Sequence, residues 1–434
     1  MPTVRRAERR YRAGMTPTVL IMIDGLGADA FARHRAHLPH LYALADGGLR
    51  VDALGAHVPG TSLPGRVGIV TGTEPDRHGV YGNFVLDGDA FRYANPDDVA
   101  VPTLPARASA AGRDVAVLGF GMVRPEDART FRGAWWVGEM LQRARDLEPI
   151  PADEGWLRTN EPRDVDGRLA RAVADGLPTE VPDAYAGDRL HYLLAEVEGD
   201  RTMMRLAAAV ASQDPPPDLT IVEILTPDSV QHAAGPDDPF SLWSLAYADG
   251  LVGTLVHELE AAGRRDAVDL FVTSDHGHGA VTTAFRPERL LPGTSVATEG
   301  AVLHALVPDR AARAAAADRL AEHGIAPLAP DHLPPVVRDR VAAFVAPDGA
   351  SFERAVAPEE PADRLSAPAR VRSTHGFRPG APGDLRFLVA SGPSVPSGRL
   401  ATAPASAVEA TVAHRLGLEP FGGGPDLIAE AGGA

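Results

Sequence analysis

Three largely apolar runs in this chain, Val19–Ile23, Leu219–Leu225 and Ala267–Thr273, each stop at residues suited to metal or acid–base chemistry. The first ends in Asp24-Gly25, the second leads into Asp228 and His232, and the third runs into Ser274-Asp275-His276. A strand that is apolar on both faces must be covered on both faces, so such runs predict a parallel sheet between layers of helices. In open sheets of this kind ligands bind just beyond the carboxyl ends of the strands. The polar strand ends therefore predict both the fold class, α/β, and the place of the site.

The segments between them keep a strand–helix rhythm. Leu38, Leu41, Leu44 and Ala45 have helical spacing closed by Gly47-Gly48, and residues 103–112 read as a helix before the strand Val115–Leu118. Further helices are predicted at 165–176, 188–212, 241–262 and 405–416, with another strand at 385–389. Residues 281–370 change character: many prolines, an Ala-rich helix at 309–323, and short strands near 302–307 and 341–346. The expected organisation is a flexible Arg-rich arm at 1–15 and a catalytic α/β core at 16–280. A small inserted α+β cap follows at 281–370, and the core resumes at 371–434.

Composition removes several function classes. Among 434 residues, 42 Lys+Arg stand against 58 Asp+Glu, a formal charge of −16, which argues against nucleic acid polymers and anionic membranes as partners. There is no Cys, hence no disulfide, thiolate metal site or Cys nucleophile. There is also no Lys, which excludes a Schiff-base or P-loop lysine. No run reaches the ~18 apolar residues of a membrane span. The Arg-rich start passes directly into the first strand without the apolar stretch of a signal peptide, so the expected location is cytoplasmic.

Asp228 and His232 stand four apart, on one face of any helix that opens after the strand. Asp275-His276 precedes a glycine, which lets the backbone turn sharply, and Ser373-Thr374-His375-Gly376 supplies a third His. Asp24, Asp228, His232, Asp275, His276 and His375 thus offer three carboxylates and three imidazoles. Oxygen and nitrogen donors without sulfur suit two Zn²⁺, with Mn²⁺ as the alternative. In Thr61-Ser62-Leu63-Pro64-Gly65-Arg66 a hydroxyl pair stands where a loop becomes a helix, a place for a phosphoryl oxygen or simply a helix cap. Arg66, one turn on, reads either as a phosphate-binding group or as half of a salt bridge. His278 reads as a supporting or surface residue, and Trp135-Trp136 as packing rather than a substrate wall.

The order Asp24, Ser62, Asn83, Asp228/His232, Asp275/His276, His375 resembles the alkaline phosphatase superfamily, in particular its nucleotide pyrophosphatase/phosphodiesterase branch. Ile69-Val70-Thr71-Gly72, Pro75, His78-Gly79 and His375-Gly376-Phe377 extend the likeness, which covers about 18–120, 218–280 and 370–417. The resemblance implies an alkaline-phosphatase-like core. It also implies one zinc on Asp228, His232 and His375, and another on Asp24, Asp275, His276 and the oxygen of Ser62. Ser62 would be the nucleophile of a phospho-serine mechanism, and Asn83 an oxyanion donor typically worth ~3 kcal/mol. The implied substrate is a small anionic phosphoester of diester or pyrophosphate type.

Two departures accompany the likeness. The branch ordinarily uses Thr where Ser62 aligns, with Thr61 beside it, and carries Asn-His where this chain has Gly65-Arg66. Ser62-Leu63-Pro64-Gly65-Arg66 also matches the S-x-P-x-R pattern of sulfatases, but those hold one calcium and use lysines that this chain lacks. A phosphomonoesterase, a phosphonoacetate-hydrolase-like enzyme and a catalytically dead binding protein complete the alternatives.

Overall fold

The computed structural model describes residues 15–133, 162–174, 177, 189–354, 361 and 363–432. Most of the Arg-rich arm and Trp135-Trp136 lie outside these residues. The core is one nine-stranded sheet. In chain order its strands are β1 (Thr18–Ile23), β2 (Leu49–Gly55), β3 (Val115–Leu118), β4 (Thr130–Arg132), β5 (Arg163–Asp164), β6 (Leu219–Ile224), β7 (Asp269–Thr273), β8 (Arg386–Ser391) and β9 (Gly398–Pro404). Across the sheet they run β9-β2-β8-β7-β1-β6-β3-β4-β5. All neighbours are parallel except where β8 meets β2 and β7 and where β5 meets β4. The mostly parallel α/β class expected from the apolar runs is the observed one.

The alternation of β1 shows why both faces are covered. Val19, Ile21 and Ile23 join one apolar cluster, packed by the helices Pro39–Gly47, Arg189–Ala211 and Pro239–Ala261. Leu20 and Met22 join the opposite cluster with Ile69 and Val70, Leu104 and Val412, from helices on the other face. All five side chains are buried, each worth roughly 1.5–3 kcal/mol relative to exposure.

Register places the site. β1 pairs parallel with both β6 and β7, with Ile23 opposite Ile224 and Met22 opposite Thr273. Their carboxyl ends therefore stop at one edge, and Asp24, Asp228 and Asp275 emerge side by side.

Four strands of the sheet have no counterpart in the sequence reading: β2 and β9, which pair with one another beside β8, and β4 and β5 at the opposite edge. The first opens directly after the Gly47-Gly48 helix stop. Gly48 passes so close to the backbone carbonyl of Ala390 that no Cβ would fit there.

Residues 281–370 form separate sheets. Val296–Glu299, Val302–Leu306, Ala326–Pro327 and Val341–Val345 make an antiparallel four-stranded sheet. The Ala-rich helix Arg310–Ala321, capped by Asp309, presents Leu320 to the same apolar cluster as Leu303, Phe344 and Phe352. Among the described residues no helix is long and apolar enough to cross a membrane.

Candidate active site

Each candidate group is held by an element with its own local reason to be there. Asp24 follows β1, and its backbone N–H donates to the Ile224 carbonyl (2.8 Å), extending the β1–β6 pairing by one residue. Asp228 and His232 lie on the helix Thr226–Ala234, which begins as soon as β6 ends. Its start is capped from a distance: the Asp200 carboxylate accepts from Leu225 N–H (3.0 Å), Thr226 N–H (2.8 Å) and the Thr226 hydroxyl (2.7 Å).

The helix Ser62–Thr71 presents Ser62 at its first position. It rests on the end of β7 because Gly65 has no side chain; a Cβ there would meet the Asp275 carbonyl oxygen at 2.6 Å. The loop entering it is tied by Asp384, which accepts from Gly60 N–H (2.6 Å).

Asp24, Asp275 and His276 come together as the spacing predicts, with donor atoms all within 4.8 Å of one another. Asp228 lies within the same limit of His276 and His375, and also of His232 and His278. Ser62 Oγ is 3.2 Å from His276 Nε2. Its neighbour Thr61 turns away, its hydroxyl bonded to Glu299, a carboxylate from the 281–370 segment. The two hydroxyls thus have different neighbours. Asn83 Oδ1 accepts from Leu63 N–H (2.8 Å), so its side-chain NH₂ is the end left to donate elsewhere.

Arg66 has partners that the phosphate-binding reading did not anticipate. Only 2% exposed, it reaches Asp24 (2.5 Å), Glu223 (2.8 Å) and Asp275 (3.4 Å). Burial disfavours its charge, yet these three carboxylates raise its pKa well above the ordinary value. The guanidinium is a structural counter-charge under the carboxylates. His278, read from sequence as a supporting or surface residue, belongs to the site's surroundings, as do Glu299, Glu223 and Asp200, which the sequence reading did not assign there. The signal for His278 was in view, two residues after His276.

The electrostatics favour a cation. Burial pushes Asp275 up to about 7, with Asp24 beside it adding to the effect. Burial opposes protonation of His276, but Asp275 and Asp24 outweigh it and push the imidazole up to about 9. His276 Nδ1–H donates to the Gly277 carbonyl (3.2 Å), leaving Nε2 as the atom that faces the acids.

Metal ions fit this donor set. Asp24 Oδ1, Asp275 Oδ2 and His375 Nδ1 are buried without a hydrogen-bond partner. His276 Nε2 lies 3.2 Å from Asp24 Oδ1 and 3.7 Å from Asp275 Oδ2, and His232 Nε2 lies 3.5 Å from Asp228 Oδ1. Two donors at ~2.0–2.1 Å from a tetrahedral ion are roughly 3.3 Å apart, close to these separations.

A mostly parallel sheet that gathers carboxylates, imidazoles and a helix-borne serine at its carboxyl edge has the layout of a hydrolase with a candidate metal site. The chain belongs to the type I phosphodiesterase/nucleotide pyrophosphatase family, whose model matches residues 18–355. This is the branch of the alkaline phosphatase superfamily that the motif order resembled.

Among curated relatives, a bis(5'-adenosyl)-triphosphatase of Mus musculus is 22% identical over 260 residues, 60% of this chain and 46% of that protein. An uncharacterized pyrophosphatase/phosphodiesterase of Schizosaccharomyces pombe is 24% identical over 264 residues, 60% of this chain and 44% of that protein. The chain thus matches less than half the length of either. Among solved structures, an inactive murine ectonucleotide pyrophosphatase/phosphodiesterase 5 in complex with AMP superposes with a TM-score of 0.64 at 15% identity. That match covers 96% of this chain and 99% of the murine one. The human counterpart gives 0.62 at 15% identity, covering 93% and 95% of the two chains. The fold is shared over essentially the whole described core.

Proposed function

We propose that this chain hydrolyses phosphodiester or pyrophosphate bonds of nucleotide-type substrates, using two divalent metal ions, zinc or manganese, and Ser62 as nucleophile. The observation that carries the proposal is Ser62 Oγ, on a helix start, at 3.2 Å from His276 Nε2, which itself lies within 3.8 Å of Asp24, Asp228 and Asp275. Asp24, Asp275 and His276, with the Ser62 oxygen, would hold one ion, and Asp228, His232 and His375 the other. When bound, the ions supply Lewis acidity that lowers the pKa of a nearby hydroxyl and offsets phosphoryl charge.

Ser62 Oγ releases its proton to solvent and attacks phosphorus in line as the ester or pyrophosphate oxygen departs on the far side, taking a proton from water. Water then opens the phospho-serine and restores the hydroxyl. Asn83 donates its NH₂ to a non-bridging oxygen, held in place by the Leu63 N–H. The nucleotide character rests on the relatives, since one acts on a bis-adenosyl triphosphate and another binds AMP. The 281–370 segment, which brings Glu299 to Thr61, serves as the cap over the departing group.

The test is a panel of dinucleotide pyrophosphates, phosphodiesters, phosphonates and sulfate esters, with chelation and zinc re-addition as controls. Turnover that disappears on chelation, returns with zinc, and leaves the phosphoryl group with its remaining ester substituent trapped on Ser62 is expected. Full turnover in excess chelator would exclude the two-metal reading.

A further inference from the structure

We propose that His278 is itself a ligand of the ion on Asp228 and His232, and that Ser373 orients both imidazoles for this task. The inference rests on the two-metal reading above and deepens it: it adds an imidazole to a site that the motif order furnishes with Asp228, His232 and His375 alone.

His278 is 8% exposed, and its Nε2 lies 2.7 Å from Asp228 Oδ1. Its other nitrogen, Nδ1, lies 3.0 Å from the Ser373 hydroxyl oxygen. That hydroxyl donates its only proton to the Gln231 carbonyl (2.6 Å), so toward His278 it can only accept. Nδ1 of His278 must therefore carry a hydrogen. His232 meets the same residue in the same sense, its Nδ1–H donating to the Ser373 backbone carbonyl (2.9 Å). One serine thus sets the tautomer of both rings, and both turn Nε2 toward Asp228 Oδ1. A hydrogen bond from the remote ring nitrogen that fixes tautomer and direction is the usual support of a metal-bound imidazole.

The arrangement is built into the backbone. Ser373 pairs with Ala280, and Thr374 with Gly279, in a short antiparallel ladder that begins one residue after His278. Arg372 N–H donates to the His232 carbonyl (2.8 Å), tying the same strand to the helix that bears His232. The two rings stand 4.7 Å apart at 76°, converging on Asp228 from different elements.

At 2.7 Å a neutral Nε2 and a carboxylate oxygen would oppose lone pair to lone pair, so a positive charge belongs between them. Either a proton or an ion meets that need. Two donors at ~2.0–2.1 Å from one ion can stand as little as roughly 2.9 Å apart, near the observed 2.7 Å. Asp228, His232 and His278 have donor atoms all within 4.8 Å of one another, so the three could share one ion.

The rival is an imidazolium that donates Nε2–H to Asp228 without touching the ion. NMR of the full chain, with nitrogen-labelled imidazoles and loaded with the NMR-active isotope of cadmium in place of zinc, separates the two. The Nε2 resonances of His278 and His232 are both expected to show scalar coupling to cadmium. His278→Ala should remove one coupled set and weaken metal loading at one site by at least about tenfold, with the other site unchanged. Ser373→Ala should weaken the coupling at His278 more than at His232, whose partner is a backbone carbonyl. Coupling at His232 with none at His278, and a proton retained on its Nε2, would overturn the proposal and leave the two-metal reading intact. Absence of coupling at every histidine would overturn both. The wild-type spectrum decides even where the variants fail to fold.

Discussion

Arg66 Nη2 lies 2.5 Å from Asp24 Oδ2, and both side chains are almost closed to water. With Glu223 and Asp275 on its other sides, this guanidinium is the fixed cation beneath a cluster of acids. Removing one partner of a buried ion pair leaves the other charged, uncompensated and desolvated, which typically costs ~3–5 kcal/mol. Arg66→Met should therefore destabilise the metal-free chain by about that amount. Zinc should restore a larger share of stability in the variant than in the wild type, because Asp24 and Asp275 would then have only the His276 imidazole to share a positive charge with them. Thermal unfolding of both proteins with and without zinc checks this. Equal stability of the metal-free forms would mean that the pair contributes nothing net.

The two neighbouring hydroxyls have different surroundings. Ser62 Oγ faces His276 Nε2, whereas the Thr61 hydroxyl is bonded to Glu299. Ser62→Ala should abolish nearly all turnover while both metals remain bound. Thr61→Ala should be much milder, on the order of 1 kcal/mol for the lost hydrogen bond. Metal analysis beside single-turnover kinetics reads both effects. The reverse ranking would place the nucleophile at Thr61.

What could be read in advance divides along physical lines. The strands β1, β6 and β7 lie in the middle of the sheet and are buried on both faces, so their sequences are continuous apolar signals. The strands β2 and β9 are only half-buried or exposed along much of their length, and each depends on a partner from the other end of the chain. Nothing local marks them. Asp24, Asp275 and His276 were legible because they directly follow such strands. Asp200, Glu223 and Glu299 were not, because their roles arise from contacts with Thr226, Arg66 and Thr61 that only the fold creates.

Asp200 should also set a pH dependence of stability. Burial pushes its carboxyl up from 3.8 to about 7, against the hydrogen bonds from Thr226 and Leu225. Between those values the folded chain holds a proton that the unfolded chain has released. The stability contributed by this group is thus complete below pH ~3.8 and is lost as pH rises through about 7, by at most about 4 kcal/mol. Asp200→Asn keeps an acceptor for the helix start and cannot ionise. Its urea midpoint should fall less than that of the wild type between pH 4 and 7, both measured metal-free. Parallel profiles would show that Asp200 does not titrate in this range.

The last expectation concerns substrate charge. A monoester dianion carries more negative charge on its non-bridging oxygens than a diester and needs a further cation to match it. The chain has no Lys, its formal charge is −16, and Arg66 is already shared among Asp24, Glu223 and Asp275. Arg378, three residues after His375, is exposed rather than set among the buried ligands. A diester or pyrophosphate link presents less charge at the reacting phosphorus, which two ions and the Asn83 NH₂ can balance. Its second substituent remains available to the 281–370 segment. We expect kcat/KM for a bis-ester and for a nucleotide pyrophosphate to exceed that for p-nitrophenyl phosphate by about tenfold or more on one zinc-loaded preparation, at least ~1.4 kcal/mol of transition-state binding. A preference of that size for the monoester would instead make this chain a phosphatase, and would require a cation other than Arg66 to meet the additional charge.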